Sequence, residues 1–392
     1  MKVLLCPMSD PGFLYPAIAL GRELRDRGHA VTVLGRAAAA GVVARAGLSF
    51  AAAEAHGGDG GFSVARWRAG GMSQYRATRL TAADLGAEVL VTSSLCHGAL
   101  LAAEVLDLPV VVLGLAAYLW DYPAGGEGEG DGEPPTAPPR DWRTSEALRC
   151  YDELRRQAGL PGRPAGSGPA PLLGAALLLR GDPALEYPGA SLPADVHHVG
   201  PCWWEPQPEP TELAEILAQV DCIGKPLVYV HLGRSFGGDT PWPWVNAAFT
   251  DSPFQAVVEL GRSPDTKAAP GAEILVVRKP WLGPLVDRAG LVVTSATSTP
   301  VLAALLRGRP LLVAPAGSEQ PMLAAACVRA GVARQVSPYA AAGHPASQLR
   351  AAWQDAGMRR RSAELAAMLS AAGGPGRAAD IVARVAAGRV CV

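Results

Sequence analysis

Apolar runs recur along the chain, and a helical pattern follows most of them. The runs Lys2–Pro7, His29–Leu34, Glu88–Thr92, Pro109–Leu113 and Leu172–Leu179 occupy the first half, and Pro226–Leu232, Gln255–Leu260, Ile274–Val277, Leu291–Val293 and Pro310–Ala314 the second. Each reads as a strand buried on both faces. Between them lie helices: one opened at Pro16, carrying Ile18, Leu20 and Leu24 inward and ended by Gly28; others over Gly98–Leu106, Thr144–Gln157 and Val301–Leu306, the last closed by Gly308. Another helix runs to Ala330, and Ala363–Ala387 is mostly helical, broken at Gly373–Gly376. Strand, helix, strand with tight connections is a parallel α/β unit. The Pro-rich Glu205–Pro210 divides two such halves, so the fold class is α/β, with two Rossmann-like parallel-sheet domains facing a cleft. The first spans 1–204, a linker 205–225, and the second 226–370. Residues 51–80 give few structural signals, and the Gly/Pro/Glu-rich 124–140 reads as a solvated loop.

In open α/β sheets ligands bind beyond the carboxyl ends of strands. Three loops at such ends carry chemistry. Met8–Phe13 holds Asp10 and Gly12; Gly233-Arg234-Ser235 follows the first strand of the second half; Ser295, Thr297, Ser298 and Thr299 form a hydroxyl cluster at the start of a helix. Exposed N–H groups at a helix start suit a phosphate. The later pair Glu319-Gln320 can accept and donate hydrogen bonds to sugar hydroxyls. His197-His198 has no third ligand nearby and reads as strand or turn rather than metal site.

The stretch Gly290–Val336 resembles the donor-binding motif of GT-B glycosyltransferases that decorate small molecules from nucleotide sugars. Gly308-Arg309-Pro310, the apolar strand after it and Glu319-Gln320 match, whereas Ser295-Ala296-Thr297 stands where that family has His-Gly-Gly. The opening Ala19-Leu20 … Leu24 … Arg27–Leu34 is also similar, with Phe13 at the place of the family's usual base histidine. The stretch around Gly98–Leu106 resembles a third segment, with Ser93 or Ser94 where the aspartate orienting that histidine is expected. The resemblance implies a first domain that takes the acceptor, at Gly12 and Phe13, and a second that takes the donor. Donor binding then falls to Gly233, Arg234, Ser235, Trp281, Ser295, Thr297, Ser298, Thr299, Glu319 and Gln320, with Trp281 against the base and Arg234 pairing with the diphosphate. It implies a terminal helix, 371–392, crossing back to the first domain. The reaction implied is inverting transfer from a dTDP- or UDP-sugar to a small natural-product acceptor, with no metal and no cofactor beyond that co-substrate. With Phe13 unable to take a proton, the catalytic candidates are Asp10, in the same loop, and His97, at the opening of a helix facing the cleft. The alternative is a non-catalytic relative acting as an auxiliary or binding partner, the double loss of the base pair being its support.

Composition narrows the partners. The chain has 392 residues, 49% of them hydrophobic, enough for two cores. A formal net charge of −1 with no basic run argues against a nucleic-acid partner. The 7 cysteines are scattered without a C-x-x-C pair, against a disulfide framework. The apolar start is interrupted by Asp10 and Pro11, and no stretch approaches ~18 apolar residues, so neither signal nor stable membrane insertion is expected and the location is read as cytoplasmic. A homodimer or an auxiliary protein is the remaining partner expectation.

Overall fold

A computed structural model describes residues 1–53, 70–115, 119–120, 140–164, 168, 170–231, 241–261, 266–316, 320–337 and 344–388. It contains two parallel sheets. The first is built from β1 (Lys2–Cys6), β2 (Ala30–Gly35), β3 (Ser49–Ala52), β4 (Val89–Thr92), β5 (Val110–Gly114), β6 (Ala176–Leu179) and β7 (Val196–His198), in the order β3-β2-β1-β4-β5-β6-β7. The second uses β8 (Leu227–His231), β9 (Gln255–Glu259), β10 (Ile274–Val277), β11 (Leu291–Thr294), β12 (Leu311–Val313) and β13 (Ala333–Gln335), in the order β10-β9-β8-β11-β12-β13.

Alternation builds each core. In β1, Val3 and Leu5 enter one apolar cluster with Leu14, Ile18 and Leu20 of the helix Pro11–Asp26, while Leu4 and Cys6 enter another on the opposite face. A period of two with both faces covered is the signature of a parallel sheet. The second sheet repeats this with Leu227 and Tyr229 on one face and Val228 and Val230 on the other.

Several elements differ from the sequence reading. The first helix begins at Pro11 and not at Pro16, so Gly12 and Phe13 lie in its first turn rather than in a loop. Leu172–Leu179 is not one strand: Ala170–Leu173 is a helical turn, and Gly174 with φ +66° separates it from β6. A Cβ at Gly174 would lie 2.6 Å from the Val110 carbonyl oxygen, so only glycine fits the join. The link between the sheets ends at Glu209, because Pro210 opens a helix, Pro210–Ile223, that buries Ile216 and Val220 in the second core. Helices Gly71–Leu85 and Trp242–Phe249 carried no recognised signal in the sequence. The final helix, Gly374–Ala386, buries Ala378, Ile381, Val382 and Val385 in the first core, and Asp380 pairs with Arg27.

The chain passes between the two cores twice, side by side. Gly374 donates its N–H to the Val199 carbonyl at 2.7 Å, and a Cβ on Gly200 (φ +79°) would come within 2.6 Å of the Ala372 Cβ. Each sheet reverses its strand order once, between β1 and β4 in the first and between β8 and β11 in the second. The crevice at such a reversal is where open α/β sheets bind ligands.

Candidate active site

At the first reversal, Thr92 Oγ1 donates to the Cys6 carbonyl at 2.8 Å and ties the ends of β4 and β1 together. The chain leaving β1 turns into the helix Pro11–Asp26. Asp10 stands at its N-cap with extended backbone, and its carbonyl accepts from the N–H groups of Phe13 and Leu14, both at 2.9 Å. Ser93 and Ser94 follow β4 and are buried. Phe13, Ser93, Ser94 and Leu95 line one cleft of about 970 Å³, open to solvent.

The opposite wall comes from the second reversal. Beyond β11, Thr294 Oγ1 accepts from the Ala296 N–H at 3.2 Å, and Ala296 takes a left-handed φ of +63°. That conformation costs a residue with a Cβ about 1–2 kcal/mol, so the turn is held by its surroundings. The helix then starts at Ser298, three residues earlier than the sequence pattern suggested, and runs to Leu306 with Thr297 at its N-cap. Thr297 makes no capping bond; its Oγ1 and the Oγ of Ser295, which is 2% exposed, are buried with no hydrogen-bond partner among the described residues. Buried hydroxyls are normally bonded. The two walls approach closely: a Cβ on Gly12 would sit 3.4 Å from Thr299 Oγ1 and 3.8 Å from Ser298 Oγ. Ser298, Met322, Leu323 and Ala326 complete the cleft from the second domain.

Gln320 begins the helix Gln320–Arg329, is 2% exposed, and accepts the Ala316 N–H on its Oε1 at 2.9 Å, which shapes the loop after β12. Gly233, Arg234, Ser235 and Glu319 lie outside the described residues.

Two expectations need correcting. Trp281 does not present its ring for a base to stack on; it is 3% exposed and fills the second core with Leu282, Leu285 and Val286. His97 opens its helix, His97–Val105, but does not face the cleft. It lies in a separate pocket of the first domain with Gln74, Arg149 and Glu153, its ring edge-on to Tyr151 at 5.9 Å. Burial pushes its imidazole down to about 4, against a backbone hydrogen bond at Ser94.

The structure adds residues that sequence reading passed over. Arg180, Asp182, Glu186 and Tyr187 line the cleft, together with His198, which the sequence reading gave only as strand or turn. Asp182 accepts the Ala184 N–H at 2.8 Å and caps the turn Pro183–Leu185, for which Asp-Pro was a usable signal. Glu186 accepts the Tyr187 N–H at 3.0 Å, and burial raises its carboxyl above the usual carboxylate range. Tyr187 packs with Met322, and the Arg329 guanidinium lies 4.5 Å over its ring, so this wall is fastened to the second domain.

No family model matches the chain. A zeaxanthin glucosyltransferase from Pseudescherichia vulneris is 31% identical over 219 residues, 53% of this chain and 49% of that protein, so the match spans about half the length of that curated relative. The solved glycotransferase of kitacinnamycin is similar at a TM-score of 0.72 with 21% identity over 98% of both chains. The glycosyltransferase VinC, solved in complex with dTDP, is similar at 0.68 with 17% identity, over 99% of this chain and 100% of that one. The fold is that of the GT-B glycosyltransferases, and the structural likeness covers nearly the whole chain. Among the described residues no helix is long and apolar enough to cross a membrane.

Proposed function

We propose that this chain transfers a sugar, with inversion, from a dTDP- or UDP-sugar to a small natural-product acceptor. The observation that carries the reading is the pair of buried, unpartnered hydroxyls of Ser295 and Thr297 at the start of the helix Ser298–Leu306, whose first residue, Ser298, lines the cleft together with Phe13. An anion there would receive the hydrogen bonds those groups lack, the first free N–H groups of the helix and its positive dipole end. The relatives named above are glycosyltransferases, and one was solved with dTDP.

In this reading the donor diphosphate rests on Ser295, Thr297, Ser298 and Thr299, with Arg234 as a fixed charge, and Gln320 serves the sugar. The acceptor lies against Phe13, Leu95 and Leu115. Its oxygen bonds to the anomeric carbon from the face opposite the diphosphate. The bond to the phosphate oxygen breaks, and its electron pair leaves with the diphosphate. The charge that develops there is met by donors already in place, which is where most of the rate gain arises. The acceptor proton passes to a carboxylate. Asp10, the N-cap two residues before the Gly12 that approaches Ser298 and Thr299, is the base this reading names, and Glu186, which lines the cleft itself, is its rival.

Calorimetric titration of dTDP and UDP into the full chain tests the donor site, and release of nucleotide diphosphate from dTDP- and UDP-sugars with candidate acceptors tests transfer. One nucleotide is expected to bind, and Arg234→Ala to weaken it on the order of 10–100-fold, as for a charge-assisted hydrogen bond. Binding of neither nucleotide overturns the donor site. Binding without turnover of any donor–acceptor pair makes the chain an auxiliary binding protein instead.

A further inference from the structure

We infer that His231 is a diphosphate ligand, donating an imidazole hydrogen bond to the donor in place of the histidine that Ser295 replaces. The inference rests on the reading that a nucleoside diphosphate occupies the second reversal. β8 and β11 are the two strands flanking that reversal, and His231 and Thr294 are register partners at their carboxyl ends. Neighbouring strands lie about 4.8 Å apart. Two residues earlier the partner strands place Tyr229 and Val292 in the same apolar cluster, the one beneath Val301 and Leu305 of the helix Ser298–Leu306. Side chains two apart share a face, so His231 and Thr294 lie on the face that carries the hydroxyl loop.

The condition of the ring is the second argument. His231 is half-buried, yet its Nδ1 is buried and reaches no hydrogen-bond partner among the described residues beyond its own backbone. Ser295 Oγ and Thr297 Oγ1 are in the same state at the same edge of the sheet. Other buried polar atoms, such as the Tyr229 hydroxyl, also lack partners, but these three gather around one strand reversal, where a single bound anion would satisfy them together. Burial also holds the imidazole below its usual value. The neutral ring keeps one N–H to donate and one nitrogen to accept, and an arriving diphosphate favours whichever form turns a donor toward it.

The test uses the full chain. dTDP, UDP and inorganic pyrophosphate are titrated into the wild type and into His231→Gln, whose melting temperature is checked first. The imidazole nitrogens of His231, assigned through the backbone in the wild type, are followed by NMR through the same titrations. The expected result is about a tenfold loss of nucleotide affinity in H231Q, with the wild-type ring nitrogens moving on addition of nucleotide and of pyrophosphate alone. The ring measurement needs only wild-type protein, so it decides the matter even if the Gln variant does not fold. Ring nitrogens that stay in place while nucleotide binds, or an unchanged affinity in a folded H231Q, overturn the assignment and leave the donor site standing. Should neither nucleotide bind the wild type, the donor site falls and the assignment falls with it.

Discussion

Trp203 and Trp204 are adjacent in the chain and belong to different cores. Trp203 packs against the second core with the Arg307 guanidinium 5.1 Å over its ring, and Trp204 packs against the first, edge-on to Tyr15 at 5.3 Å. Successive side chains of an extended stretch point to opposite sides, and here the two sides are two domains. Glu205 then takes the N–H groups of Leu282 and Gly283 on its carboxylate at 2.9 Å, fixing the next step of the chain to the second domain. The connection is pinned on both flanks within three consecutive residues. Because each ring is only half-buried, Trp203→Ala and Trp204→Ala are each expected to cost about 2–3 kcal/mol, below the 3–5 of a fully buried tryptophan. Denaturant unfolding of the full chain measures this; a loss under about 0.5 kcal/mol in either variant removes the pin.

Ser295 and Thr297 are expected to show opposite effects on stability and binding. Removing a buried hydroxyl that lacks a partner relieves a desolvation cost, so Ser295→Ala and the nearly isosteric Thr297→Val should each stabilise the empty protein by about 1 kcal/mol. The same changes should weaken dTDP or UDP several-fold, since each removes a donor from the phosphate. Thermal unfolding and calorimetry on the same samples give both numbers, and a variant that is destabilised without nucleotide contradicts the orphan state of its hydroxyl.

His97 makes acid stability a specific expectation. The imidazole is pushed down to about 4 in the folded chain by burial, while the unfolded chain protonates near the ordinary value of ~6.5. The unfolded state therefore binds the proton more readily. The contribution of His97 is complete above pH ~6.5 and is lost as the pH falls toward 4, a change of about 3 kcal/mol. Subtracting the stability of His97→Gln from that of the wild type across pH 7 to 4.5 isolates this group. A difference independent of pH would mean that the ring already reaches solvent.

The two carboxylates proposed for the base separate in one pair of assays. A positioned base is worth about 10²–10⁴-fold in rate, so the true one of Asp10→Asn and Glu186→Gln should lower kcat by that much and the other only a few-fold. Glu186 has an independent signature. Its folded value is raised by burial, so its stabilising contribution is present below the unfolded carboxylate value of ~4.3 and is lost as the pH rises through the folded value. Glu186→Gln should thus be more stable than the wild type at pH 7 and equal to it near pH 4, whatever it does to turnover.

The strands were legible because burial on both faces leaves continuous apolar runs: β1, β9, β10 and β12 fall within a residue or two of the runs that predicted them. The hydroxyl loop was legible because small polar residues interrupt an apolar stretch just before a helix. What escaped has a physical cause in each case. Gly71–Leu85 buries only Tyr75, Thr78 and Ala82, too sparse a stripe to stand out in an Ala-rich segment. Trp281 and His97 each had the right residue type at the right place in the chain, but direction is set by tertiary packing, which turns one ring into the core and the other into a side pocket. Arg180, Asp182 and Glu186 belong to a connection whose importance comes from the helix Gln320–Arg329 docking on it, a contact that no local pattern encodes. His231 reads locally as the last residue of a strand; only its pairing with Thr294 places it beside the hydroxyl loop.

The helix Gly374–Ala386 supplies Ala378, Ile381, Val382 and Val385 to a core that otherwise consists of residues from the chain's start up to Trp204. As the polypeptide is synthesised, those early residues emerge with an apolar groove along the helix Pro11–Asp26 and strands β4 to β6, and its filling is not made until nearly all the rest has been translated. The second domain, continuous in sequence, can close first. Assembly of this molecule therefore runs against the order of synthesis: the half that is made first is finished last, and its open groove is the surface a chaperone would have to shield in the interval.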